Sequence, residues 1–295
     1  MSEITRTLPS PAELRTQGFR LLRACWLPIL TGALLAVLPT LLGDLVLHLS
    51  PADPTTLEDL AAMMSGRPYT VPALIASIVI ELGGLLLFSP AVLLGLYKGL
   101  LGHLRGERCT LACLISGFSR WKTAVALELL TGMRILGYLI LGSIGQYLLG
   151  FIPVLGGIVG GIGYIVLVWW ATWRYALSDC HLADDAEPTC TASDCLDYSI
   201  ADVKLFSITG LIEVIWPSLL PSFISNLLTR FLPASLELTL ATCALQMAVH
   251  AFTVVGCIAV YAGLRTAYRT AKDEPIPEGL ARARALASGV ESPEE

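Results

Sequence analysis

Charge is what this sequence has least of. Aspartate, glutamate, lysine and arginine make up 15% of its 295 residues, against a hydrophobic share of 55%. Soluble domains carry roughly a quarter charged residues, so this chain lacks the means to cover an ordinary water-facing surface. Histidine is scarce as well: His48, His103, His181 and His250 lie far apart and form no His-rich catalytic cluster. Neither Gly-x-Ser-x-Gly nor His-Glu-x-x-His occurs, so two common hydrolase signatures are missing. The cysteines are scattered without a Cys-x2-Cys pair, and most fall in apolar runs or on the side expected to face the cytoplasm. That distribution argues against a disulfide framework. Cys180, His181, Cys190 and Cys195 share one hydrophilic interval, but adjacent Cys180 and His181 would rarely face one ion, so zinc is not expected.

Long apolar runs are what is present, and the mean hydropathy is +0.70. The expected fold is all-α, a polytopic transmembrane bundle of six spans with short interfacial helices. The spans are placed at about residues 27–49, 71–96, 123–149, 152–177, 203–231 and 234–261, each long enough for a hydrocarbon layer of about 30 Å. Residues 1–272 form a single membrane domain, and 273–295 an acidic, flexible tail. The first run has no small-x-small cleavage pattern at its far end, so it is read as a retained helix. Prolines 28 and 39 are expected to bend it, and Pro217 and Pro221 to break the fifth span.

Orientation follows from lysine and arginine. With the N-terminus inside, sixteen of the nineteen lie in cytoplasmic segments; Arg67 and Arg230 fall outside and Arg134 within a span. This is the bias of a multi-pass membrane protein with both termini cytoplasmic. The basic residues mark span ends, so no nucleic-acid surface is expected. The longest polar interval, 178–202, holds seven acidic residues and no lysine or arginine. Such acids carry little topological weight.

Local signals add detail. Ser10-Pro11-Ala12-Glu13 reads as a capping box opening a basic interfacial helix, and Thr55-Thr56-Leu57-Glu58 as a second box. A small helix is expected over about 111–118. Gly18-Phe19-Arg20 is echoed by Gly117-Phe118-Ser119-Arg120, a hint of a repeat in which a short helix precedes each hairpin. In the fourth span Gly156, Gly157, Gly160 and Gly161 set small residues at close-packing spacing; Gly157 and Gly161 are expected to face another helix. A nucleotide-binding reading of these glycines fails, because no strand precedes them and no Lys-Ser/Thr follows.

The candidate site is a buried ion cluster of Glu81, Arg134, Glu213 and Glu128. Glu81, Arg134 and Glu213 each fall about 15 Å along their spans, near the middle of the layer. Glu128 lies six residues from Arg134 on another helical face, so Arg134 is expected to pair with Glu81 or Glu213. No metal and no cofactor are expected.

Taken together, Glu13-Leu14-Arg15, Arg23 and Trp26, the Gly-Leu…Leu-Arg-Gly and Gly-Phe motifs of 99–118, Tyr175-Ala176-Leu177-x-Asp179, and Leu196, Ser199, Lys204-Leu205-Phe206 leading to Trp216 resemble the domain-of-unknown-function 975 family. The resemblance runs over nearly the whole chain. It implies a bacterial, six-span membrane protein and no catalytic residue. Two functions are compatible with this reading. One is a non-catalytic module that organises proteins or lipids, in contact with the bilayer and with a membrane or cytoplasmic protein partner. The other is a small transporter using its buried charges.

Overall fold

The computed structural model describes residues 8–49, 71–149, 155–184, 190–232 and 235–272. Among these residues every regular element is a helix. The N-terminal helix α1 (Pro11–Ala24) begins with the expected capping box: Glu13 N–H donates to Ser10 Oγ, and Ser10 N–H to the Glu13 carboxylate. It buries Leu14, Gln17, Gly18 and Leu21. This face lies along the last helix, where Gly18 sits against the Val255 backbone and Phe19 meets Phe252 edge-on at 6.2 Å.

Three helical pairs follow, and these consecutive pairs make the most extensive helix contacts in the molecule. The first joins α2 (Trp26–Leu49) to α3 (Val71–Gly83), which continues through a π-helical turn (Gly84–Phe88) into α4 (Ser89–Leu104). A short helix α5 (Ala112–Ser116) and a 3₁₀ turn (Gly117–Arg120) lead into α6 (Trp121–Leu149), paired with α7 (Leu155–Arg174). Two further short helices, α8 (Ser178–Ala183) and α9 (Ala192–Phe206), precede α10 (Ile208–Phe231) and α11 (Leu236–Ala271). A short helix therefore stands before each pair. Among the described residues, five helices are long and apolar enough to cross a membrane: Trp26–Leu49, Pro72–Leu104, Ala112–Leu149, Gly210–Thr229 and Leu236–Thr270. The chain is thus a multi-pass membrane protein, helical in every regular element among the described residues.

Several expectations change. The second long helix continues to Leu104, and its last turns bury Leu100, Leu101 and Leu104. The polar interval 178–202 forms α8 and most of α9. Residues 203–206 end α9 rather than open the fifth span; the break falls at Ser207, where φ is 72°. Pro217 and Pro221 lie inside an uninterrupted α10. The final helix reaches Ala271, and its 36 residues extend about 54 Å, well beyond a 30 Å layer. Thr55–Glu58 and the tail from 273 lie outside the described residues.

In the first pair, Pro39 of α2 lies opposite the π turn, with Gly84 directly against its ring. One turn earlier, Ser89 Oγ donates to the Ala36 carbonyl at 2.9 Å. Hydroxyl groups from a neighbouring helix commonly satisfy backbone near a membrane proline in this way.

Candidate functional site

The polar side chains that matter gather where α8 and α9 cover one end of the bundle. The turn at 175–177 lets α8 fold back over the helical pairs, burying Cys180, His181, Leu182 and Asp184. A second capping box starts α9, with Thr191 and Asp194 exchanging backbone–side-chain hydrogen bonds of 3.0 and 3.3 Å. A 2.6 Å bond donated by the Thr191 hydroxyl, and then the Thr191 N–H, hold the Asp194 carboxyl below the usual range. Cys190 and Cys195 occupy the positions of a hydrophobic staple around this cap. Their sulfur atoms are 2.9 Å apart. The buried set Cys195, Leu196, Ser199, Asp202, Val203 and Phe206 is the inward stripe of an amphipathic helix.

Two carboxylates bind this cap to the bundle. Asp184 forms an ion pair with Arg105, just past α4, and accepts from Tyr261 of α11 at 2.8 Å. Arg265 N–H donates to the same phenol at 2.9 Å and lies 3.9 Å from Asp184. Asp202 contacts His181 Nε2 at 3.0 Å and accepts from Tyr268 at 3.3 Å. The His181 ring stands edge-on to Tyr261, with centroids 5.0 Å apart. From the 3₁₀ turn, Arg120 donates to the Leu182 and Cys190 carbonyls at 2.9 and 3.2 Å. Ser199 joins α9 to the end of α7 by accepting from Leu177 N–H and donating to the Arg174 carbonyl.

Asp179 lies within electrostatic reach of Glu128 on α6; burial, then that second carboxylate, pushes its pKa up to about 7. Burial also raises the Cys180 and Cys195 thiols well above their ordinary value, which favours the unreactive thiol over the thiolate. His181 is engaged with Asp202, and the Cys190 and Cys195 thiols face each other. Among the described residues no three His, Cys, Asp or Glu side chains are arranged to hold a metal ion. Asp184 and Asp202 join the cap to the long helices, through Arg105 and Tyr261 for the first and Tyr268 for the second.

The four residues expected to form an ion cluster are dispersed instead. Arg134 pairs with Asp197 of α9 at 3.1 Å and lies over the Tyr175 ring at 5.9 Å. Neither Glu81 nor Glu213 is its partner. Arg134 stands about 20 Å from the start of the 29-residue α6, where α9 lies alongside and supplies Asp197. Starting α10 at Ile208 brings Glu213 to about 7 Å from the helix start, and its side chain is exposed. Glu81 accepts from Ser77 at 3.0 Å and lies against Gly43 of α2.

Among the glycines, Gly160 lies against Gln146 of α6, and Gly142 of α6 against Tyr164. Gly161, expected at a helix contact, faces open space. The surroundings of Gly156 and Gly157 are outside the described residues.

No family model matches this chain. Neither the curated proteins nor the solved structures contain a match. The likeness to the domain-of-unknown-function 975 family therefore rests on its short motifs alone.

Arg105, Asp184, Asp202, Tyr261 and Arg265 belong to no recognisable catalytic or metal-binding motif in the sequence. The available signal was complementarity. An interval of seven acids without a base must find its cations elsewhere, and basic stretches lie at 98–122 and 265–284.

Proposed function

We propose that this chain is a non-catalytic module of the bacterial inner membrane, which crosses the bilayer six times and organises proteins or lipids through a rigid cytoplasmic cap. The basic bias supports the orientation, and α7 as the partner of α6 supports the sixth crossing. The observation that carries the reading is the fastening of α8 and α9 to separate long helices through Asp184, Asp202 and Arg120. Such fastening engages Asp184, Asp202 and Arg120 in structure and leaves the outer face of α9 for contacts. The resemblance to the domain-of-unknown-function 975 family agrees with this proposal and adds no chemistry.

A transporter is the second reading. It is favoured by the π turn opposite Pro39 with Glu81 three residues before it, since irregular helices and intramembrane acids recur at transport sites. Flux of protons, sodium and potassium into vesicles containing the full chain separates the two. The module reading expects rates equal to those of empty vesicles. A flux lost in Glu81→Gln would replace it.

A further inference from the structure

Beside the cap, α6, α7 and α9 enclose an open groove of about 390 Å³. Its polar side is cationic and aromatic: Arg134, Arg174, Tyr138 and Tyr175 line it. Arg174 stacks on Trp170 at 4.7 Å, and its buried Nε–H has no acceptor among the described residues. The one carboxylate on Arg134 is Asp197, whose side chain is 64% exposed. Arg134 thus faces one exposed acid, and Arg174 keeps a donor for a ligand. Such a site complements a singly charged anion that accepts several hydrogen bonds.

The other side of the groove is apolar. Gly137 leaves open space above its backbone, and Leu141, one turn further along α6, is 64% exposed. Trp169 and Trp173, 6.2 Å apart, continue the aromatic band of α7 at this level, where headgroups meet the apolar layer. A free anion has no use for that wall, whereas an acyl chain does.

We infer that this groove is a binding site for an anionic phospholipid, with Arg174 and Arg134 holding its phosphodiester and the Gly137–Leu141 face of α6 receiving an acyl chain. Basic pockets beside membrane helices hold acidic headgroups by the same chemistry. The inference deepens the module reading by naming a lipid class, and rests on it only in placing the chain in a bilayer.

The test is native mass spectrometry of the full chain in detergent, titrated with phosphatidylglycerol or phosphatidylcholine. One phosphatidylglycerol should bind at least about tenfold tighter than phosphatidylcholine. Arg174→Gln should abolish the difference, while Arg20→Gln on the distant α1 should preserve it. Asp197→Asn frees Arg134 without touching the core and should strengthen binding several-fold; it decides the matter if the Arg174 variant does not fold. Inorganic phosphate at millimolar concentration should not displace the lipid. Equal binding of the two lipids, no gain in Asp197→Asn, or displacement by phosphate would each overturn the inference. None of these results depends on ion flux, so failure here leaves the test of the module reading separate.

Discussion

The phenol of Tyr261 donates to the Asp184 carboxylate at 2.8 Å, joining the last long helix to the cap across 77 residues of sequence. Arg105 and Arg265 complete the charge balance around Asp184, which is almost fully buried while both guanidinium groups remain about a third exposed. Removing the phenol oxygen with Tyr261→Phe should cost about 1–3 kcal/mol, the range for a lost partner of a buried polar group. Asp184→Ala should cost more, near the low end of the roughly 3–5 kcal/mol for a broken buried ion pair, because water screens the arginines. Thermal unfolding in detergent should rank the wild type above Tyr261→Phe and Tyr261→Phe above Asp184→Ala. The reverse order for the two variants would mean that the carboxylate is not the centre of the cluster.

Asp179 sets an expected pH dependence. Its pKa rises to about 7 in the fold, against roughly 3.9 in an unfolded chain. The folded state therefore holds this proton more tightly, so the contribution to stability is greatest below pH 4, declines between about 4 and 7, and is level above. Glu128 of α6 and Tyr97 of α4 share its surroundings, with Cys180 adjacent on α8. Melting temperature should fall between about pH 4 and pH 7, and Asp179→Asn should flatten that fall. An unchanged slope in the variant would assign the effect to another group.

Gly117 shows where a hydrogen cannot be replaced. A Cβ there would lie 1.9 Å from the Ala91 carbonyl oxygen and 2.4 Å from Gly95 N, whereas one at Gly132 would meet nothing within 4 Å. Gly117→Ala should prevent recovery of monodisperse protein. Gly132→Ala should be neutral or stabilising by up to about 1 kcal/mol, the helix-propensity difference. Size-exclusion profiles of the two variants compare them directly, and equal recovery would refute the close approach of the 3₁₀ turn to α4.

Ser207 is the one non-glycine residue with positive φ among those described, at φ 72° and ψ 147°. That region is nearly exclusive to glycine and costs another residue about 1–3 kcal/mol. The serine also caps α10 by accepting from Gly210 N–H at 3.2 Å, but exchanging such a cap for glycine costs only a few tenths of a kcal/mol. Ser207→Gly should therefore raise the melting temperature, and Ser207→Ala, which keeps the strain and loses the cap, should lower it.

Sequence alone determined that the chain lies in a membrane as helices, because apolar length and charge scarcity are local quantities that lipid reads one segment at a time. The α1 capping box was legible for the same reason, since Ser10 and Glu13 lie within one turn. Thr191 and Asp194 offered an equally local signal for α9, obscured by the acidity of the surrounding interval. Tertiary structure decided which charges meet. Counting from the start of the apolar run puts Arg134 at the midplane, yet its partner is Asp197 on a helix that returns from 63 residues away. Likewise, Gly160 rather than Gly161 meets the neighbouring helix, because the rotation of α7 against α6 follows from packing of whole faces. Asp184 joins Arg105, Tyr261 and Arg265 only after three separate stretches of chain converge. Depth, rotation and pairing depend on where distant helices come to rest, and residue spacing within one helix carries no record of it.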